Sequence, residues 1–362
     1  MSTLSSKDHK TAIITGTSGN LGTNIAKRLI CELPSNTRLT IIVTSRTLPN
    51  ANSCIKQLQE FSNGLKREGI VDFDYCLIDF TNMVSILNAF YELKQNHEKI
   101  DYLFINAAQG VYGGIDWVGA TYECCTNPIK GVTYPTYKIQ KIGVKSKDGL
   151  GLVFQANVFG PYYFIHLLAN KSNLFNSVNI NGSINKSKII WISSVMSKPS
   201  YLSMNDLQLK KSPESYEGSK RLVDLIHLST FEELKRKDIL QYLTHPGIFT
   251  SFSFFEFLNP ITYYGMLFLF YLARWLGSPW HNISGWKAAN SALFVALNAE
   301  LNNDLQNVKY GSATKWDGKE YVKVSQLDGT GKDDVAKYFK DLRDEWDEKL
   351  KNQITDTRKV EY

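Results

Sequence analysis

The stretch that decides the fold is TAIITGTSGNLGTNIAKRLI, residues 11–30. It opens with a short, almost wholly apolar or β-branched run, as a strand covered on both faces requires. A glycine-rich turn follows, Thr15 to Gly22. Beyond it Leu21, Ile25, Leu29 and Leu33 recur every four residues and form the apolar stripe of a helix. A turn of this kind lets backbone approach a pyrophosphate. The helix behind it offers orphan N–H groups and the positive end of its dipole.

The same alternation continues outward. RLTIIVTS (38–45), FDYCLID (73–79), IDYLFIN (100–106) and KIIWIS (188–193) read as further buried strands separated by helical patterns. That rhythm predicts an α/β fold, a Rossmann-type doubly wound parallel sheet with helices on both faces. With no internal repeat or low-complexity linker, residues 1–362 read as a single domain with insertions, the first at about 109–150.

The end of the second strand bears on the ligand. A carboxylate there would bind the ribose hydroxyls of NAD. This chain offers Ser45 and Arg46 instead, and a guanidinium with a hydroxyl suits the 2′-phosphate of NADP(H). Composition narrows the classes further. The chain has 41 Lys and Arg against 35 Asp and Glu, intermixed, which argues against a nucleic-acid surface and leaves a mild attraction to anionic membrane faces. Five cysteines with no Cys-x-x-Cys pair and no clustered histidines point away from a metal site or disulfide framework and towards a reducing compartment. The polar start, MSTLSSKDHK, lacks the apolar core of a signal peptide.

Tyr-x-x-x-Lys places a phenol and an ammonium one helical turn apart, where the cation favours the phenolate. The pattern occurs at Tyr134/Lys138, Tyr137/Lys141 and Tyr216/Lys220. Only the last opens a good helical pattern after the strand ending in Ser193 and Ser194. Tyr134 and Tyr137 lie in TYPTYKIQ, whose proline and β-branched residues do not read as a helix.

In chain order the sequence thus carries Thr15-Gly16-x-x-x-Asn20-x-Gly22, Asn106-Ala107-Ala108, Asn157, Ser193-Ser194, Tyr216-x-x-x-Lys220 and Pro246-Gly247. Over residues 10–250 it resembles the short-chain dehydrogenase/reductases. Along its full length it resembles their fungal 3-keto-steroid reductase branch in ergosterol synthesis, through VTSRTLP, YLFINAAQG, FQANVFGPYYF, SYEGSKRLVDL and FLFYLARWLGSPWHNI. The chain departs from the family at Asn20, which stands at a usual glycine and tolerates left-handed backbone. It departs again at Ala108 and in longer gaps from Asn106 to Asn157 and from Ser194 to Tyr216.

The resemblance implies NADPH/NADP+ as cofactor, contacted by Gly16, Ser18, Asn20, Leu21, Gly22, Ser45, Arg46, Asp79, Asn106, Ala107, Pro246, Gly247 and Thr250, together with Tyr216 and Lys220. Tyr216 is the expected general acid, its pKa drawn down by Lys220, which also binds the nicotinamide ribose. Ser194, or Ser193 in its place, is expected to meet the developing oxyanion, and Asn157 to hold a water behind Lys220. The implied reaction is reduction of the 3-ketone of a sterol C-4 demethylation intermediate to the 3β-hydroxyl. Another lipid ketone, such as a 17-keto steroid or 3-ketosphinganine, and a mainly scaffolding role stand as alternatives. Implied partners are the oxidase and decarboxylating dehydrogenase of a sterol C-4 demethylation complex, and oxidosqualene cyclase.

The most apolar region, about 251–285, reads as a substrate lid that dips into a membrane. Leu258 to Ala273 carries no charge but is shorter than the roughly 20 residues a span requires, and Arg274, Trp275 and Trp280 flank it as interfacial anchors. The expected location is therefore the cytosolic face of the endoplasmic reticulum membrane or lipid droplets, held peripherally or monotopically. A final helix, about 332–353, is expected to dock Val335, Phe339, Leu342, Trp346 and Leu350 along one side.

Overall fold

The computed structural model describes residues 9–175, 186–250, 257–299 and 305–353, and the backbone of 178–180 and 183–185. Residues 251–256 of the expected lid lie outside the described residues.

The central sheet has eight strands: β1 (His9–Ile14), β2 (Arg38–Ser45), β3 (Val71–Leu77), β4 (Tyr102–Ile105), β5 (Lys188–Ile192), β6 (Leu240–His245), β7 (Val308–Thr314) and β8 (Glu320–Gln326). Their spatial order is β8-β7-β6-β5-β4-β1-β2-β3, all parallel except β8, which runs antiparallel to β7. Helices in chain order are α1 (Asn20–Glu32), α2 (Leu48–Asn63), α3 (Met83–Asn96), α4 (Trp117–Thr126), α5 (Pro128–Thr133), α6 (Gly160–Lys171), α7 (Ser215–Lys235), α8 (Pro260–Trp275), α9 (Asn290–Leu297) and α10 (Lys332–Lys349).

Strand periodicity sorts the core. Ala12 and Ile14 of β1, with Ile41 and Val43 of β2, pack under α1, α2 and α9, while Ile13 and Ile42 point the other way, into the cluster formed by α3, α6, α7 and α10. Both faces of the sheet are thereby buried, which is why its strands read as continuous apolar runs. Each fully buried Ile or Leu contributes roughly 1.5–3 kcal/mol relative to exposure. On α10, Val335, Phe339, Leu342 and Trp346 are buried, and Leu350 beyond its end is buried with them. All five cysteines are free thiols.

β1 lies between β2 and β4, so the strand order reverses there. The carboxyl ends of β1 and β4 open a crevice at that point, the place where ligands bind in sheets of this type. Over it sits a small antiparallel hairpin, Tyr112–Ile115 with Lys138–Gln140, with α4 and α5 between its strands. Opposite, α8 packs against α5 and the short strand His281–Ile283. α8 has 16 residues, and no helix among the described residues is long and apolar enough to cross a membrane.

Arg274 is not an interfacial anchor. It is buried, with Nε donating to the His281 carbonyl and Nη2 to the Asn282 carbonyl, both at 2.8 Å. It staples α8 to the 281–283 strand, so its charge is spent inside the protein. Trp280 also turns inward and packs edge-on against His245, whereas Trp275 is exposed.

Candidate active site

The glycine-rich turn is laced to the end of β4 by one hydroxyl. Thr15 Oγ1 donates to the Phe104 carbonyl (3.0 Å) and accepts the N–H groups of Asn106 (2.8 Å) and Ala107 (2.9 Å). Asn106 Nδ2 returns a bond to the Thr15 carbonyl (2.9 Å). Gly16 has φ +65°, and a Cβ there would sit 3.0 Å from Ala107 Cα. A larger residue would press on Ala107 and strain the left-handed turn; with glycine there, Gly16, Ser18 and the start of α1 line the crevice, so the cradle fits a dinucleotide.

Asn20 does not take a left-handed conformation. It starts α1, and its Nδ2 donates to the Thr250 carbonyl at 2.7 Å. Its amide ties the phosphate turn to the loop after β6, a use for Asn that a tolerance argument does not contain.

The crevice is a cleft of about 810 Å³. Its walls include Gly16, Ser18, Asn20, Leu21, Ser45, Arg46, Asp79, Asn106, Ala107, Tyr216, Lys220 and Pro246. Three expected cofactor residues lie off it. Gly22 packs behind the turn against the Gly16 carbonyl, Thr250 reaches the cleft only through Asn20, and Gly247 lines a neighbouring pocket. Arg46 is exposed at the end of β2 and free to meet a phosphate. Asp79 accepts from the Thr81 N–H and hydroxyl through Oδ1.

The neighbouring pocket, about 570 Å³, is mostly apolar and is walled by α4, α5 and α8. Ser194, Tyr137, Lys138, Tyr216 and Glu217 also face it. The two serines divide the work. Ser193 is buried, and its hydroxyl donates to Asp224 Oδ1 at 2.5 Å. Ser194 lines the apolar pocket beside Tyr216, with its Oγ accepting the Met196 N–H at 3.0 Å.

Lys220 Nζ donates to the Ile192 carbonyl at 2.9 Å and lies 5.6 Å from the centre of the Tyr216 ring. Burial lowers its pKa from 10.5 to about 8, with Asp224 opposing. Tyr216 moves the other way from the sequence expectation. Burial, then the Glu217 carboxylate, pushes its phenol well above the ordinary 10. The motif spacing revealed the lysine but not the buried acid that follows the tyrosine.

Asn157 lies in a π-helical turn, Gln155–Phe159, before α6. Its Oδ1 accepts the Gln109 N–H (2.7 Å), while Nδ2 donates to the Gln109 carbonyl (2.9 Å) and to Ser219 Oγ (3.0 Å). The side chain thereby ties the loop after β4 to the start of α7.

Sequence reasoning missed Gln140, Tyr112 and Glu217. Gln140 accepts from the Tyr216 N–H (2.9 Å) and the Ser215 hydroxyl (3.0 Å) and donates to Glu217 Oε2 (2.6 Å). The inserted hairpin thus satisfies an orphan N–H at the start of α7 and fixes the catalytic turn. Tyr112 lines the cleft, its phenol pushed up by burial and by Tyr216 and Glu217. No local signal marks any of these three.

No family model matches the chain. Among solved structures it is similar to L-sorbose reductase from Gluconobacter frateurii, crystallised with NADPH and L-sorbose, with a TM-score of 0.56 at 13% identity over 84% of this chain and 95% of that one. A 7α-hydroxysteroid dehydrogenase aligns at a TM-score of 0.50 and 18% identity over 80% of this chain and 88% of that one. At such identities the likeness is one of fold. Sequence relatives are far nearer. The chain is 56% identical to the 3-keto-steroid reductase of Kluyveromyces lactis over 96% of its length and 98% of the relative's. It is 56% identical to 3-keto-steroid reductase ERG27 of Saccharomyces cerevisiae (97% and 99%) and 39% identical to the 3-keto-steroid reductase of Yarrowia lipolytica (95% and 98%). With the strand order, the phosphate turn and the Tyr216/Lys220 helix all in place, the chain belongs to the 3-keto-steroid reductases, within the short-chain dehydrogenase/reductase fold.

Proposed function

We propose that this chain reduces the 3-keto group of a sterol C-4 demethylation intermediate to the 3β-hydroxyl, with NADPH as reductant. The observation that carries the proposal is the position of Tyr216 on the boundary between the dinucleotide cleft and an apolar pocket. The residues around the turn fit the dinucleotide, and Arg46 with Ser45 favours the 2′-phosphate. When bound, NADPH supplies the hydride. The protein's own part is protonation and placement. A high phenol pKa keeps the proton on Tyr216 until the carbonyl oxygen becomes basic, which suits a general acid in the reductive direction. Ser194 faces the same pocket and donates to that oxygen, a contact whose loss in comparable sites costs about 3 kcal/mol. Lys220 steadies the phenolate that remains.

The pocket's outer wall extends the proposal to a membrane surface. On α8, Ile261 (83% exposed), Tyr264 (68%), Phe268 (60%) and Trp275 (57%) fall on one helical face. Val118 and Tyr122 of α4, another wall helix, are exposed as well. An apolar stripe of this width inserts into the headgroup boundary, so a lipid-dissolved ketone enters without crossing water. Peripheral attachment to the cytosolic face of the endoplasmic reticulum or to lipid droplets follows from that reading. Work beside the oxidase, the decarboxylating dehydrogenase and oxidosqualene cyclase rests on the family resemblance alone.

The test is NADPH oxidation by detergent-solubilised protein with a 3-keto sterol, a 17-keto steroid and 3-ketosphinganine, each beside Tyr216→Phe and Lys220→Met. Turnover confined to the 3-keto sterol and lost in both variants is the expected result. Turnover on another ketone replaces the substrate assignment. Cofactor binding with no turnover on any of the three defeats the reading.

A further inference from the structure

Two side chains, Tyr216 and Lys138, line both the dinucleotide cleft and the apolar pocket. The place where the two cavities meet is the place where a bound ketone meets its hydride donor. Tyr216 is accounted for; Lys138 belongs to the inserted hairpin and has no role in the chemistry described so far.

Its position is built rather than incidental. Lys138 and Gln140 are two apart on one strand and therefore share a face. Gln140 uses that face to grip the Tyr216 N–H, the Ser215 hydroxyl and the Glu217 carboxylate. Ile139 between them points away and is half exposed. The grip on the first turn of α7 therefore sets Lys138 beside Tyr216. Burial lowers the Lys138 pKa, and the Glu217 carboxylate, itself buried one residue after Tyr216, opposes that shift electrostatically. That carboxylate favours the charged form of the amine near the junction.

We propose that Lys138 is a further catalytic residue, whose ammonium hydrogen-bonds the ketone oxygen from the hairpin side while Tyr216 protonates it from α7. The inference rests on the ketone-reductase reading of this site. In the step, the carbonyl carbon takes a hydride from bound NADPH, which is oxidised, and the C=O pair moves onto oxygen. The Tyr216 O–H bond breaks, its proton goes to that oxygen, and the phenolate regains a proton from solvent. The charge on oxygen is largest between these events, and an ammonium already in place favours that state over the neutral ketone.

The experiment compares wild type, Lys138→Met, Lys138→Arg and Tyr216→Phe. Steady-state kinetics with a 3-keto sterol are run beside NADPH affinity from fluorescence quenching and melting temperature without cofactor. The expected result for Lys138→Met is a kcat about 100-fold down, with KM and NADPH affinity within about 3-fold of wild type. Lys138→Arg, which keeps the charge, recovers most of the rate. A kcat for Lys138→Met within about 3-fold of wild type overturns the proposal, as does a rate loss matched by an equal loss of NADPH affinity. If the Met variant melts early, Lys138→Gln decides, since it keeps a polar group of similar reach; a normal rate there overturns the proposal and a 100-fold loss supports it. An active Tyr216→Phe, by contrast, sinks the underlying reading and not Lys138 alone.

Discussion

Replacing Lys220 by Met is expected to abolish turnover and yet make the cofactor-free protein more stable. Lys220 is nearly inaccessible to solvent, and burial lowers its pKa from 10.5 to about 8. One pKa unit corresponds to about 1.4 kcal/mol, so at neutral pH the fold bears a penalty of about 3 kcal/mol for holding that ammonium charged. Met removes the penalty and fills similar volume. It also removes the bond to the Ile192 carbonyl, worth about 1–1.5 kcal/mol. The balance is a gain of about 1–2 kcal/mol at pH 7, or a few degrees in melting temperature. Linkage fixes its pH dependence. A depressed folded pKa means that the unfolded chain binds more protons between about 8 and 10.5, so wild-type stability rises across that window. The penalty is complete below the folded pKa and gone above the unfolded one, so the gain shrinks as pH climbs from 8 towards 10.5. Urea unfolding of both proteins without NADPH, at pH 7, 8, 9 and 10, measures this directly. The reasoning fails if Lys220→Met is the less stable protein at pH 7, or if the difference between the two stays flat over that range.

Other parts of the structure give sharper local expectations. Arg46→Leu should raise the KM for NADPH by about 10- to 100-fold, the loss of a charge-assisted bond, and leave weak use of NADH unchanged; paired cofactor titrations check it. Gly247→Ala should cost more than about 2 kcal/mol in urea unfolding, because Gly247 has φ +67° and a Cβ there would lie 2.5 Å from the Trp280 carbonyl oxygen. His227, His245 and His281 are buried with pKa values lowered from 6.5 to about 4, 3 and 4. Their neutral forms therefore support the fold fully above pH 6.5, and that support is lost as pH falls towards 3. The urea midpoint should drop steadily on acidification through this window, with a shallower drop in His245→Gln.

What the sequence made legible is what a short stretch settles by itself. β1, the phosphate turn and α1 are contiguous, and their period-2 and period-4 patterns need no distant partner to be read. The Tyr216/Lys220 turn was likewise legible once chain order set aside its two imitators. One imitator was rejected for a sound reason and still held a site residue. Tyr134 lies under the Lys198 ammonium, 4.0 Å from ring centre to Nζ, while Lys138 reaches the junction of the cavities. Nothing near Lys138 in the chain distinguishes those two fates, because its address is set by Gln140 gripping Glu217, 77 residues away. β7 escaped notice for a related reason. Lys309, Gly311 and Ser312 interrupt its apolar run, and Lys309 can be buried there because it pairs with Asp224 on α7, which also holds Ser193 and Ser197. Arg274 shows the same blindness in reverse, for a charge at the end of an apolar helix looks like an anchor until the carbonyls of His281 and Asn282 come within reach. In each case a buried charge or amide is stable only because a remote segment supplies its counterpart. Periodicity records which side chains leave water, and it is silent about which polar groups leave with them. The residues hidden from sequence reading are therefore the buried polar ones, and in this chain they surround the reacting tyrosine.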